Sequence, residues 1–134
     1  MFSTIFIKCL QISQVEPPVE TCFSTYGNKD KIILEVGPGT GNLTSEILIN
    51  NPKKIYVIEK DENLVSDLKN KFGKSLEIIN KDILKFNEKS FLPEKLNVFG
   101  NLPYNISTQI LASWIKINNL NNFCKKFILM FQKE

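Results

Sequence analysis

The most informative stretch of this 134-residue chain is Ile32-Ile-Leu-Glu-Val-Gly-Pro-Gly-Thr-Gly41. An apolar run is followed by a loop with glycine at positions 37, 39 and 41, and then by Leu43 and Ile47 at helical spacing. This pattern predicts a buried strand, a tight turn and a helix. Glycine lets a backbone approach a ligand closely, and the start of the next helix supplies free N–H groups. In an open α/β sheet, such a loop indicates an adenosine-containing cofactor.

Alternating strands and helices continue along the rest of the chain. Apolar runs predict further strands at residues 55–58, 76–79, 96–99 and 127–131. Helical spacing predicts helices over residues 42–50, from Leu64 to Phe72 and over 106–115, with a short turn over 88–92 and a polar loop over 118–122. Strands that alternate with helices indicate βαβ crossovers and a mostly parallel sheet. We expect one α/β domain over residues 31–134, after a poorly ordered lead-in over residues 1–30.

The composition restricts the partners and the compartment. The chain has 17 basic and 14 acidic residues, all the basic ones being lysine, and a formal charge of +3. This weak basic excess permits contact with RNA without requiring it. Cys9, Cys22 and Cys124 form no C-x-x-C pair and there is no histidine, so no metal site is expected. Sparse cysteines suit a reducing compartment, and no run is long enough for a membrane span, so we expect a cytoplasmic protein.

Polar residues follow four of the predicted strands. They are the Gly37–Gly41 loop, Glu59, Asp82 and the Asn101-Leu-Pro-Tyr104 segment. Because the carboxyl ends of parallel strands lie along one edge of a sheet, these residues are expected to face one crevice. Glu59 lies 22 positions after Gly37, about the distance at which an acid accepts ribose hydroxyls. The alternative role for Glu59 is a solvated cap of the following helix.

Asp82 and Ile83 are the next candidates. A carboxylate at this position could accept a hydrogen bond from an adenine amine while Ile83 packs on the ring. An aspartate after a strand is more often a plain turn residue, and that alternative stays open.

The segment Asn101-Leu-Pro-Tyr104 has the most specific chemistry. The lone pair of an adenine amine is delocalised into the ring, which makes the amine a poor nucleophile. Methylation of this amine therefore needs hydrogen-bond acceptors that localise the lone pair on the nitrogen. The side-chain oxygen of Asn101 and the carbonyl of Leu102 could act as these acceptors, with Pro103 fixing the backbone. Tyr104 could stack on the base, a contact worth roughly 1–3 kcal/mol. A plain Asn-Pro turn with a packed tyrosine is the structural alternative.

Together these segments resemble the ribosomal RNA adenine dimethyltransferases, both the small-subunit kasugamycin-sensitivity type and the erythromycin-resistance methylases. The matching runs are Glu35-Val-Gly-Pro-Gly-Thr-Gly41, Val57-Ile-Glu-Lys60, Lys81-Asp-Ile-Leu84 and Phe99-Gly-Asn-Leu-Pro-Tyr-Asn-Ile-Ser-Thr108. They occur in the family's order and spacing between Lys31 and Glu134, and the last run is highly specific. The resemblance implies a Rossmann-like fold, S-adenosyl-L-methionine as cofactor, and dimethylation of adenine N6 amines in small-subunit rRNA.

The resemblance also implies roles for individual residues. Glu35 and the loop glycines Gly37, Gly39 and Gly41 would bind the cofactor, with the loop lining its methionine part. Glu59 would hold the ribose, and Asp82 with Ile83 the adenine. Asn101 would serve cofactor and target amine, Leu102 and Pro103 would complete the target site, and Tyr104 would stack on the target base. The implied partner of this expected monomer is small-subunit rRNA or a pre-ribosomal particle, and the base must leave its RNA stack.

The chain departs from the family in two places. The family's Gln-Asn-Phe-Leu-like segment should fall near residues 10–13, which read Leu-Gln-Ile-Ser. The sequence ends after the fifth predicted strand, so we expect a truncated catalytic domain that lacks the last strands and the helical RNA-binding domain. Such a chain is expected to retain most cofactor-site residues and to lack independent activity.

Two other functions are compatible with part of the pattern. A nicotinamide-dependent oxidoreductase would also use Glu59 for a ribose, but Asn42 stands where a G-x-G-x-x-G motif needs its last small residue. That function also leaves Asn101–Tyr104 unexplained. The alternative from another class is a non-catalytic module that binds RNA or the ribosome and retains the residues of an enzyme ancestor.

Overall fold

The computed structural model describes residues 28–86, 96–102, 104–115 and 124–131. The strands are β1 Ile32–Val36, β2 Lys54–Glu59, β3 Glu77–Asn80, β4 Leu96–Leu102 and β5 Cys124–Phe131. The helices are α1 Asn42–Ile49, α2 Glu62–Phe72 and α3 Tyr104–Ile115, with short 3-10 turns at Gly73–Ser75 and Ile83–Lys85. Within these residues, no helix is both long and apolar enough to cross a membrane.

The five strands form one parallel sheet in the order β3-β2-β1-β4-β5. Val36 pairs with Ile58 on one side and with Gly100 on the other, and Ile58 pairs in turn with Ile79. The carboxyl ends of the central strands are therefore level. The strand order reverses between β1 and β4, and in open α/β sheets this is where ligands bind. The predicted parallel α/β sheet is confirmed.

Alternation along β1 separates the two faces of the sheet. Ile33 faces a core with α1, and Leu34 and Val36 face a core with α3. The first core consists of Ile33, Leu43, Ile47, Ile55, Val57, Leu76, Phe99 and Ile128. The second consists of Leu34, Val36, Ile58, Leu96, Val98, Leu102, Ile110, Cys124 and Leu129. Both faces are covered, which explains why the strands are apolar throughout.

The largest difference from the sequence prediction concerns β4. This strand was expected to end at Phe99 but continues to Leu102, because Gly100, Asn101 and Leu102 stay paired with β5. A Cβ atom on Gly100 would lie 2.9 Å from Leu129 Cδ2, so glycine keeps this close pairing free of strain. Asn101 and Leu102 are thus held by the sheet rather than by a loop.

Smaller differences concern element ends. β3 runs one residue further than predicted, to Asn80, and β5 begins three residues earlier, at Cys124. α2 ends at Phe72, before Gly73 with its positive φ of 55°, as the sequence indicates. The predicted turn over 88–92, the loop over 118–122 and nearly all of the predicted lead-in lie outside the described residues.

Candidate active site

A cavity of about 510 Å³ opens at the carboxyl edge of the sheet. Its walls are Val36, Gly37, Ile58, Glu59, Lys60, Asp61, Lys81, Asp82, Ile83, Leu84, Leu102 and Ile106. The cavity therefore brings together residues that follow β1, β2 and β3 with the end of β4. Five of the predicted site residues are among them: Gly37, Glu59, Asp82, Ile83 and Leu102. Another cavity, of about 410 Å³, lies beside the end of α2 and contains none of the predicted site residues.

Glu59 is the buried acid of this cavity, with a side chain only 8% exposed. Its Oε1 accepts hydrogen bonds from the N–H groups of Lys60 at 2.8 Å and Asp61 at 3.0 Å. Its Oε2 accepts one weaker bond, from Gly39 N–H at 3.3 Å. A carboxylate has about four lone-pair positions, so Oε2 keeps capacity for another donor. The arrangement fixes the Glu59 carboxylate between β2 and the glycine loop.

Asp61 has the helix-capping role that was the alternative for Glu59. Its Oδ1 accepts hydrogen bonds from Asn63 N–H at 2.8 Å and Leu64 N–H at 3.4 Å, which caps α2. Because Asp61 satisfies the helix end, Glu59 is left to face the cavity and the loop.

Asp82 also lines the cavity and follows β3, the strand next to β2. Its Oδ1 accepts a hydrogen bond from Leu84 N–H at 3.0 Å, and the Lys60 ammonium lies 3.3 Å from its Oδ2. The hydrogen bond from Leu84, together with the Lys60 charge, lowers the pKa of Asp82. Asp82 thus caps a short turn, the structural role left open above. It also presents an ionised acceptor to the cavity.

The glycine loop is tied to its surroundings by hydrogen bonds at several points. Gly37 N–H donates to Ile58 O at 2.9 Å, Gly41 N–H donates to Pro38 O at 2.9 Å, and Lys71 Nζ donates to Thr40 O at 3.2 Å. Gly37 has a φ of 64°, and a Cβ atom there would overlap the Leu102 side chain. Glycine at position 37 therefore lets the loop after β1 and the end of β4 meet at the cavity.

Glu35 is not among the residues that line the cavity. Its side chain lies on the face of β1 that packs against α1, and the residue is 1% exposed. Glu35 Oε2 accepts a hydrogen bond of 2.6 Å from Thr44 Oγ1 of α1. Within the described residues, its Oε1 has no hydrogen-bond partner. Burial raises the pKa of Glu35 to about 7, with the Thr44 bond acting in the opposite direction. Glu35 joins β1 to α1 beneath the loop, and its orphaned oxygen can still accept a donor.

The titration of Glu35 should make the free energy of unfolding decrease as the pH rises. Between about pH 4.5, its ordinary pKa, and about pH 7, the unfolded chain loses the proton that the folded chain keeps. The free energy of unfolding should therefore drop by ~3 kcal/mol across this window and level off above it. Glu35→Gln, which cannot titrate, should lack this component when urea unfolding is compared at several pH values. Equal slopes for the two proteins would contradict the prediction.

The Asn101–Tyr104 segment is described in part. Asn101 is exposed at the end of β4, and Leu102 is buried with its carbonyl oxygen accepting a hydrogen bond from Ser107 Oγ at 3.3 Å. Tyr104 is the first residue of α3, although its side chain lies outside the described part. Pro103 lies wholly outside it. A carbonyl oxygen has two lone pairs, so Leu102 can accept a second donor.

Sequence reasoning missed several residues of the cavity. Val36, Ile58, Leu84 and Ile106 supply apolar walls, and an apolar residue at a strand end has no signal that separates it from the core. Lys60, Asp61 and Lys81 adjoin predicted site residues in sequence, and that proximity was the available signal.

The site combines three kinds of group. Two carboxylates from neighbouring strand ends can accept hydrogen bonds, apolar residues can cover a flat ring, and Gly37 brings the backbone of the loop to the cavity wall. This set fits a ligand with a diol and an aromatic amine, such as an adenosine group. The exposed Asn101 at the adjoining strand end can contact a second molecule.

Known proteins resemble the chain over most of its length. A protein of Pelagibacter ubique (strain HTCC1062) named ribosomal RNA small subunit methyltransferase A is 54% identical over 105 residues, which are 78% of this chain and 40% of that protein. A crystal structure of a dimethyladenosine transferase from Plasmodium falciparum has a TM-score of 0.65 at 30% identity, covering 88% of this chain and 42% of that one. The 23S rRNA methyltransferase ErmE has a TM-score of 0.61 at 26% identity, covering 73% and 40%.

These matches confirm the Rossmann-like fold of S-adenosylmethionine-dependent methyltransferases. The chain spans about 40% of the length of the curated relatives that it matches. Residues 10–134 match the model of the family described as ribosomal RNA adenine dimethylase. The resemblance seen in the strand-end residues is thereby confirmed, and the chain belongs to the ribosomal RNA adenine dimethylase family.

Proposed function

We propose that this protein takes part in S-adenosyl-L-methionine-dependent dimethylation of adenine N6 amines in small-subunit rRNA. The observation that carries the proposal is one cavity shared by Glu59, Asp82 and the end of β4. The family match supports a methyltransferase over a nicotinamide-dependent oxidoreductase. We also propose that residues 31–134 form part of a catalytic domain, because the matched region is about 40% of the length of the Pelagibacter ubique relative.

Residues that follow neighbouring strands of the sheet would contact neighbouring parts of the cofactor. Glu59 would accept hydrogen bonds from the ribose hydroxyls through the free capacity of Oε2. Asp82 would accept a hydrogen bond from the adenine amine through its carboxylate, whose pKa is lowered by the Leu84 N–H and the Lys60 charge. Ile83 would pack on the adenine ring. Gly37 and Gly39 would bring backbone close to the methionine part, while Glu35 and Gly41 would support the loop from beneath.

The bound cofactor supplies an electrophilic methyl group on sulfur. The chain's own task is to prepare the attacking amine, which is a poor nucleophile while its lone pair is delocalised. The Asn101 side-chain oxygen and the Leu102 carbonyl would accept hydrogen bonds from the two N–H groups of the amine. These bonds would localise the lone pair on the nitrogen. The proton can leave after methyl transfer, so no strong base is needed. Alignment of amine and methyl group would then give much of the acceleration.

The proposed partner is small-subunit rRNA, alone or in a pre-ribosomal particle. We propose that the protein acts on it as a monomer in the cytoplasm. The target adenine must leave its stack to reach a cavity at the sheet edge, and Tyr104 is proposed to stack on it. Lysine is the only strong base in the chain, so phosphates would be contacted by single charges and not by guanidinium forks.

Cofactor binding tests the proposal first. Isothermal titration of the 134-residue chain should show binding of S-adenosylhomocysteine and none of NAD. Glu59→Gln should weaken S-adenosylhomocysteine binding by about 10- to 100-fold, because the amide replaces an acceptor of charge-assisted hydrogen bonds by a donor. Glu62→Gln, an exposed acid in the first turn of α2, is the control and should bind normally. Preference for NAD would contradict the proposal.

Methyl transfer is the second test. Precursor small-subunit rRNA would be incubated with cofactor and either the chain or a hybrid in which this chain replaces the matching segment of the Pelagibacter ubique relative. We expect N6,N6-dimethyladenosine from the hybrid. A hybrid that binds cofactor and RNA without methylating would support the non-catalytic RNA-binding alternative.

A further inference from the structure

We propose that Asn80 is a positioning residue of the cofactor site, which holds the Glu59 carboxylate in the orientation that accepts ribose hydroxyls. This inference rests on the proposed function, since it concerns the same cofactor. Asn80 does not line the cavity, and it lies outside the polar residues that the sequence singled out.

The Asn80 side chain bonds to two successive carbonyls of the neighbouring strand end. Its Nδ2 donates to Glu59 O at 2.9 Å and to Lys60 O at 3.1 Å. Asn80 is the last residue of β3 and pairs with Glu59 in the parallel ladder. Lys81 N–H also donates to Glu59 O, at 3.1 Å, so the ends of β2 and β3 are joined by backbone and side chain together.

The same two peptide units hold the Glu59 carboxylate from their other side. The peptide that contains Glu59 O also contains Lys60 N–H, and the peptide that contains Lys60 O also contains Asp61 N–H. These two N–H groups are the donors to Glu59 Oε1. Because a peptide unit is planar, fixing its carbonyl fixes the direction of its N–H. The Asn80 amide thereby sets the direction of both donors that orient Oε1.

The chemistry of position 80 requires an amide. Its NH₂ group has two hydrogens and can serve two carbonyls at once. An aspartate of the same size would place a carboxylate against two carbonyl oxygens and repel them. Asn80 is exposed, so its replacement leaves the cores of the sheet intact. Packing therefore does not explain why asparagine stands at position 80.

The test compares two ligands that differ only in the ribose. S-adenosylhomocysteine and its 2′,3′-dideoxy analogue would be titrated calorimetrically into wild type, Asn80→Ala and Asn80→Asp. We expect about a tenfold loss of S-adenosylhomocysteine affinity in Asn80→Ala and a larger loss in Asn80→Asp. The dideoxy analogue lacks the hydroxyls that Glu59 would hold, so its affinity should stay within about twofold of wild type.

A matched control is Asn50→Ala. Asn50 Nδ2 also donates to a backbone carbonyl, Glu46 O at 2.9 Å, but at the end of α1. This variant should bind both ligands as wild type does, and circular dichroism would verify the fold of all variants. If Asn80→Ala does not fold, Asn80→Asp carries the comparison.

The outcomes separate the two proposals. Selective loss of S-adenosylhomocysteine affinity supports a positioning role for Asn80. Equal losses for the two ligands, or unchanged binding of both, overturn it while the proposed cofactor stands. Absence of S-adenosylhomocysteine binding in the folded wild type overturns the proposed function, and the Asn80 role with it.

Discussion

Asn101→Ala should reduce methyl transfer by about 10²- to 10³-fold in the hybrid enzyme, as expected when one aligned hydrogen-bonding group is removed from a transition state. Asn101 is held in β4 by its pairing with Met130 of β5, and it is exposed one residue before Leu102, which lines the cavity. Its side-chain oxygen is proposed to accept an N–H of the target amine. Alanine removes this acceptor without disturbing the strand.

Several measurements distinguish this effect from a general loss of structure. Methyl incorporation would be followed at saturating RNA, with RNA binding measured separately and expected to be unchanged. Asn105→Ala is the matched control, because Asn105 is an exposed asparagine in the first turn of α3. It should retain activity within a few-fold. Full activity of Asn101→Ala would contradict the assigned role.

Gly41→Ala should destabilise the folded chain by about 2–5 kcal/mol, from left-handed backbone strain of about 1–2 kcal/mol and overpacking of about 1–3 kcal/mol. Gly41 has a φ of 82° and precedes α1. A Cβ atom there would lie 2.5 Å from Cε2 and 2.9 Å from Cζ of the Phe72 ring, and 3.1 Å from Leu68 Cδ2. The ring belongs to α2, so relief requires movement between the loop and that helix.

Gly39→Ala provides the comparison within the same loop. Gly39 has a φ of 55°, but a Cβ atom there meets nothing within 4 Å. Only the backbone strain of about 1–2 kcal/mol applies. Urea unfolding of both variants measures the difference. Equal destabilisation would show that packing against α2 does not explain the glycine at position 41.

The strands were predictable because each is a short apolar run next to turn residues. The positions of Glu59 and Asp82 at one edge followed from the parallel order alone. Glu35 was predicted among the cofactor-binding residues for its place in the motif. Its face of β1 depends on the register of the sheet, which buries it against Thr44 and away from the cavity.

Asn80 shows what sequence could not reveal. Its partners lie 20 and 21 residues away, and they are backbone carbonyls that carry no sequence signal. The contact depends on β2 and β3 being neighbours with a particular register. Likewise, the extension of β4 to Leu102 depends on pairing with β5, which local pattern does not encode.

The hydrogen bonds of the glycine loop have a consequence for the energetics of ligand capture. Gly39 is bonded to Glu59, Thr40 to Lys71 and Gly41 to Pro38 by contacts internal to the protein. The conformational entropy of the loop is therefore lost during folding and not when a ligand arrives. A preorganised loop of this kind makes affinity depend mainly on the contacts themselves.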